Sequence, residues 1–424
     1  MCDIGVISPP PRLVVRYESV VYLSSVRPGA RSGVVGAIGA NVVALGLVSL
    51  VTDVSSEMVT AVLPAYLVFG LSLSIAQYGL MDGLYTGVTA VTRLLGGYTA
   101  DRWRARKTVA GAGYALSAVA KIGLLAAGGS ALGVGAAIAA DRMGKGVRTA
   151  PRDAMITLSA EPAALGRAFG VHRTLDSVGA FLGPLVALAV LAGTAQAYDA
   201  IFVVSLCVAV LGVLLLILFV RNSHDDVPAQ RPLLKEALGL LSDPRIRRLA
   251  YAAILLGLVT VGDGFVYLLI QRWQGLPVLW FPLLAVGTNV SYLLLATPLG
   301  AIADRFGRWR VVVGGHVALL AVYLLLAGHR GSWPAAILAL ALYGAFYAAV
   351  DGVLMATASP LLPKRVRTSG LALLQTCQAL AYLLSSVIFG LAWQAFGPDR
   401  AGFVAAAGVL VALPLAVWWL RSAK

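Results

Sequence analysis

Seven basic residues, Arg93, Lys121, Arg142, Lys145, Arg148, Arg152 and Arg173, fall in the first half of the chain within stretches that are otherwise apolar. Six acids share those stretches: Asp53, Glu57, Asp82, Asp141, Asp153 and Asp176. The second half has only Asp263 and Asp351 in such places. Helical spacing sorts them. Asp53, Glu57, Thr60 and Pro64 share a face, and His172 with Asp176, Asp141 with Lys145, and Arg148 with Arg152 are i,i+4 neighbours. A carboxylate buried beside a movable cation can bind and release a proton as that neighbour comes and goes. Asp53, Glu57 and Asp176 are the candidates for that chemistry, with Arg142 as modulator. A static salt-bridge network that only holds helices together is the competing reading. It suits Arg148, Arg152 and Asp153 best, because they lie toward one end of their helix. Tyr343, Phe346, Tyr347 and Asp351 also recur at helical spacing. Aromatic rings with a carboxylate suit a cationic, amphipathic ligand through stacking and cation–π contact. Simple helix packing would need the same rings. Asp263 and His172 complete the cavity candidates.

The elements that hold these residues are membrane helices. Of 424 residues, 59% are hydrophobic and 12% charged, too few charges to clothe a soluble protein of this size. A crossing needs about 20 apolar residues, and lipid-exposed backbone must satisfy its own hydrogen bonds, which forces helices. Six spans are expected near 37–68, 76–100, 107–127, 132–157, 168–192 and 199–220. Six more follow near 249–271, 277–303, 310–328, 333–357, 368–396 and 401–420. The first is interrupted by Asp53, Ser55, Ser56 and Glu57, but splitting it would place Arg102, Arg104, Arg106 and Lys107 outside, against the positive-inside rule. One long helix with a bend near Pro64 is expected instead.

This arrangement puts 23 of the 33 basic residues on the cytoplasmic side and three, Arg272, Arg330 and Arg400, in outer loops. The net charge of +14 is therefore topology, read against an anionic inner leaflet, and not a nucleic-acid footprint. The expected divisions are a cytoplasmic tail at 1–33, a six-helix bundle at 34–220, a cytoplasmic linker at 221–248 and a second bundle at 249–424. Cys2, Cys207 and Cys377 form no CxxC pair, and the four histidines are dispersed, so no metal site or cofactor is expected. No GxxxxGK[ST] loop is present.

The halves echo each other. Gly97, Asp101 and Arg102 follow the second span as Gly300, Asp304 and Arg305 follow the eighth, each set leading into further basic residues, with a turn glycine, Gly307, in the second copy. Gly170, Gly179, Gly183 and Pro184 mark the fifth span, spaced for close helix packing and a kink. Together these loops and spacings resemble the major facilitator superfamily, over roughly residues 37–420. The resemblance implies an all-α membrane protein of twelve transmembrane helices in two pseudo-symmetric six-helix bundles. It implies that the glycine–aspartate–arginine loops form a conformational latch on the cytoplasmic side. The span-five pattern is similar to that of proton-coupled exporters, although Ala187 and Leu188 stand where two further glycines are usual. Arg142 stands where the family often places a functional arginine, and Lys145 departs from the glutamine common three residues later.

The expectation is thus a secondary active transporter in the cell membrane, not an enzyme, with both termini cytoplasmic. It would export a small organic solute in exchange for protons and act as a monomer in the bilayer without nucleic acid. An uptake symporter or passive facilitator of the same fold is the alternative.

Overall fold

The computed structural model describes residues 39–103, 105–161, 164–222, 239–328, 332–362 and 367–422. The expected tail, Arg330 and most of the expected linker lie outside the described residues. The first half contains α1 (Ala40–Ala65), α2 (Ile75–Trp103), α3 (Arg106–Ala126), α4 (Ala131–Leu158), α5 (Leu165–Gly193) and α6 (Tyr198–Phe219). The second contains α7 (Pro244–Leu258), α8 (Asp263–Gln274), α9 (Pro282–Phe306), α10 (Arg308–Gly328), α11 (Trp333–Val350), α12 (Val353–Ala358), α13 (Arg367–Phe396) and α14 (Pro398–Ser422). The short helices pair up: α7 with α8 makes the seventh span, and α11 with α12 the tenth. The protein is an all-α membrane protein with twelve spans in two six-span bundles.

Ten helical stretches among the described residues are long and apolar enough to cross a membrane on their own composition. The two remaining spans are α2, rich in glycine, threonine and tyrosine, and α4, which carries Asp141, Arg142, Lys145, Arg148, Arg152 and Asp153. These are helices that lie against protein rather than lipid: α4 packs on both α2 and α3.

The first span runs unsplit through its polar residues and passes Pro64 into a π-helical turn at Tyr66–Gly70. The seventh does not run unsplit. It starts earlier than expected, at Pro244, where the Asp243 carboxylate accepts the Arg245 N–H at 2.7 Å, and it breaks between Leu258 and Asp263. Three backbone groups freed by the break are satisfied from other helices. Tyr323 Oη accepts the Val261 N–H at 2.7 Å and donates to the Val259 carbonyl at 3.0 Å, while Tyr343 donates to the Val261 carbonyl at 2.8 Å. Irregular backbone at this depth is tolerated where protein supplies such partners. The tenth span breaks as well, at Asp351 and Gly352. Gly352 has φ +75°, a left-handed conformation that glycine adopts without Cβ strain. The predicted turn glycine Gly307, φ +102°, separates α9 from α10 in the same way.

An even number of spans per half places residue 39, the 222–239 connection and Ser422 at one end, here termed the terminal end. Toward the opposite, distal end the halves are closely joined along α2 and α13. A Cβ added at Gly79 would lie 2.5 Å from the Ser386 carbonyl oxygen, and one at Gly83 would lie 2.8 Å from that of Leu383. Glycines let the two backbones approach this far, which is how helices gain contact in lipid. Near the terminal end, Gly166, Gly170 and Gly300 face open space.

Candidate functional site

The charged residues of the first half separate into two groups. In one, Asp141 is clamped between two cations: Lys121 Nζ donates to Oδ1 at 2.7 Å and Arg142 Nε to Oδ2 at 2.8 Å, with a second Arg142 nitrogen on the same oxygen. All three are buried. The Arg142 guanidinium lies 4.0 Å above the centre of the Tyr85 ring, and Tyr85 in turn shares a 2.7 Å hydrogen bond with Thr60. A cavity of about 20 Å³, room for about one water, adjoins them.

The other group joins α1, α4 and α5 and holds the expected proton-binding acids. Arg148 approaches Asp53 at 3.8 Å, and Lys145 reaches Glu57 at 3.4 Å and Asp53 at 4.0 Å. Arg152 contacts Asp153 at 3.0 Å and Asp176 at 3.7 Å. Ser49 donates to Asp176 at 2.7 Å. The carboxyl groups of Asp53 and Asp176 face one another within hydrogen-bonding reach. Two carboxylates at that range repel, so such a pair is held together by a shared proton or by neighbouring cations. The structure therefore brings Asp53, Glu57 and Asp176 together. It places Arg142 elsewhere, on Asp141, and gives its expected neighbours to Lys145, Arg148 and Arg152. The i,i+4 partner of Asp141, Lys145, likewise turns to α1, because cross-helix carboxylates outcompete the local one.

A buried polar cluster at the seam between the halves gathers part of the second-half candidates. Asp263 opens α8 and accepts the Gly264 N–H at 2.8 Å. Around it stand Tyr78, Tyr267 and Tyr347, with Tyr382 beside Asp82. Ser386 of α13 donates to Asp82 of α2 at 2.6 Å, across the seam. Among the described residues neither Asp82 nor Asp263 pairs with a basic side chain. Of the expected cavity residues, Tyr347 belongs here. Tyr343 is fully buried and spends its hydroxyl on the helix break. Asp351 lies at the break of the tenth span, where Tyr292 donates to it at 3.1 Å. Phe346 turns toward His316 of α10, ring edge to face at 5.2 Å. His172 is inside the first half, near Arg152 and Asp176. Sequence reasoning missed Asp82, Tyr78, Tyr382 and Ser386 as site residues. The available signal was Tyr78–Asp82 and Tyr382–Ser386, each at i,i+4.

Gly97, Asp304 and Arg305 of the expected latch make their contacts within their own halves. Gly97 packs toward Ala150. Arg102 is exposed, and the Asp101 side chain lies outside the described part. Asp304 meets Arg308 at 3.3 Å, and Arg308 donates to the Ala356 carbonyl at 2.6 Å, tying α10 to α12. Arg305 lies over the Phe306 ring.

The span-five glycines divide in role. A Cβ at Gly183 would lie 2.7 Å from Glu57 Cβ and 2.8 Å from the Met58 nitrogen, and one at Gly179 would overlap the Leu50 carbonyl. Gly170 meets nothing. Gly183→Val should therefore cost roughly 3 kcal/mol by overpacking and push α5 off α1. Gly170→Ala should be neutral or slightly stabilising. Thermal unfolding of the purified variants checks both, and equal melting temperatures for the two would remove the distinction.

Two six-span bundles that meet at a buried polar seam define the architecture of a membrane transporter. The sequence model of the Major Facilitator Superfamily matches residues 45–291 and 275–424, and the chain belongs to that family. It is 32% identical over 365 residues to an uncharacterized MFS-type transporter of Methanocaldococcus jannaschii, covering 84% of this chain and 88% of the relative. An uncharacterized protein of Mycobacterium tuberculosis is 35% identical over 161 residues, 37% of this chain and 38% of its own. Among solved structures, the nucleoside transporter NupG superposes with a TM-score of 0.76 at 14% identity, covering 90% of this chain and 99% of NupG. A D-xylose–proton symporter gives 0.69 at 18%, covering 89% and 96%. At such identities the likeness speaks for the fold.

Proposed function

We propose that this transporter exports a small organic cation in exchange for protons, by alternating access at the seam between its halves. The observation that carries the reading is the separation of two acid sites. Asp53 and Asp176 face each other among Lys145, Arg148 and Arg152, a setting in which a proton and a cation can trade places on the same carboxylates. Asp82 and Asp263 stand apart, with tyrosines and no basic partner among the described residues, a setting that favours a positively charged, aromatic-stacking solute. The span-five glycine pattern supports export over uptake. In this reading the terminal end is cytoplasmic, the chain works as a monomer, and the expected bundles 34–220 and 249–424, the second extended back to Pro244, move about the connection between them. The glycine–aspartate–arginine loops latch the terminal end when it closes.

The test is proton flux in proteoliposomes carrying an internal pH dye, challenged with ethidium and tetraphenylphosphonium, with benzoate as anion and with glucose as neutral solute. Cation-dependent flux opposite to solute movement is expected, and Asp82→Asn and Asp263→Asn should lose it. Flux in the same direction as the solute would make the protein a symporter. Solute movement with no proton flux would make it a facilitator.

A further inference from the structure

We propose that His172 relays protons between the Asp53–Asp176 pair and the terminal end of the first half, across water held with Tyr114. The inference rests on the proposed proton carriage by that pair and adds its route. His172 is 3% exposed, yet among the described residues neither ring nitrogen has a hydrogen-bond partner. Tyr114 is 2% exposed, and its hydroxyl likewise has no partner among the described residues. Polar atoms buried this deeply ordinarily find a partner, and ordered water is the usual one when the protein supplies none.

Their positions frame the carboxyl pair. Tyr114, on α3, lies under the Arg148 guanidinium at 4.5 Å and neighbours Arg152, Asp53 and Asp176. His172 is one helical turn before Asp176 on α5. The charged groups around it are Arg152 and Asp153 of α4 and Asp176 and Arg173 of α5, with Ser49 of α1 bridging Arg152 and Asp176. Asp176 is the inner member of this set. Asp153, whose side chain is 38% exposed, is an outer one. Histidine therefore stands between a carboxyl pair that is buried at Asp53 and half-buried at Asp176, and a more exposed carboxylate toward the terminal side.

Imidazole suits that place because one nitrogen accepts while the other donates. A proton leaves the carboxyl O–H of the pair for the free nitrogen through one water. The N–H on the opposite side gives its proton to water beside Asp153. One proton has moved, the ring is neutral again in its other tautomer, and ring rotation or the reverse transfer restores it. Nothing is oxidised. A histidine that only filled space would serve as well as glutamine or phenylalanine.

The test needs no solute. Infrared difference spectra of the purified, reconstituted protein are recorded while H2O is replaced by D2O. The parent should show a carboxylic C=O band that Asp53→Asn or Asp176→Asn removes. Its deuterium shift should be at least about tenfold slower in His172→Gln, in keeping with the loss of a positioned acid–base group. Tyr114→Phe, which keeps the ring beneath Arg148, should slow it as well. A band that exchanges at the parental rate in His172→Gln overturns the relay while leaving the carboxyl pair in place. A parent with no band sensitive to Asp53 or Asp176 overturns the pair, and the relay with it. Amide bands recorded in the same spectra report the fold: a His172→Gln protein that loses helix has a structural histidine, which also overturns the relay.

Discussion

Asp141→Asn is expected to destabilise the protein by about 3–5 kcal/mol, the usual cost of removing one partner from a buried ion pair. Asp141 is the acid that Lys121 and Arg142 share, and all three are buried. Without it, two cations remain in the interior of the first half with the Tyr85 ring as the main compensation for Arg142. Lys121→Met in the same chain should recover part of the loss, because it removes one of the stranded charges. Thermal unfolding in detergent with size-exclusion profiles measures both. A single Asp141→Asn variant that melts with the parent would show that the clamp contributes little, and additivity in the double variant would deny the coupling.

The largest functional effect is expected at Asp53 and Asp176. A carboxamide cannot titrate, so Asp53→Asn or Asp176→Asn should abolish solute accumulation driven by a pH gradient and leave downhill counterflow of ethidium near the parental rate. One pH unit stores about 1.4 kcal/mol per proton, enough for about tenfold accumulation when one proton is exchanged. The variants should fall to a ratio of about one. Glu57→Gln tests the third acid, which among the described residues pairs with Lys145. Loss of both modes together would mark these residues as structural. Parental accumulation in all three would move the proton to Asp82, Asp263 or Asp351.

Much of this was legible before any coordinates, and what was not has a common cause. The spans read directly because lipid demands long apolar helices, and parity with the basic loops kept the first one whole. Gly179 and Gly183 lie where α5 meets α1, a spacing requirement local to one helix face and so visible in the sequence, whereas Gly170 of the same pattern meets nothing. The break in the seventh span did not read. Its sequence stays apolar across Val259, Thr260 and Val261, and the groups that make the break tolerable are hydroxyls of Tyr323 and Tyr343, more than 60 residues on. Arg142 was misassigned for a related reason. Spacing along α4 ranks partners on that helix only, whereas Lys121 on α3 and Glu57 on α1 decided which α4 charge goes where. Asp82 escaped because its partner, Ser386, lies 304 residues away in the other half.

The charge-laden α4 also constrains how the protein is made. Six ionisable side chains, at about 2.5–3.5 kcal/mol for each one near the bilayer centre, leave this helix unable to partition into lipid by itself. Its earlier-made partners, Asp53 and Glu57 on α1 and Lys121 on α3, have already left the ribosome when α4 emerges. Asp176 on α5 has not. The nascent chain must therefore keep α1 and α3 beside the insertion machinery until α4 arrives, and α4 is secured only when α5 follows. Glycosylation-tagged chains truncated after Leu158 and after Gly193 should differ in whether α4 spans, and equal insertion of the two would deny the dependence. Biogenesis of the first half then proceeds as the joint release of several helices, not one at a time.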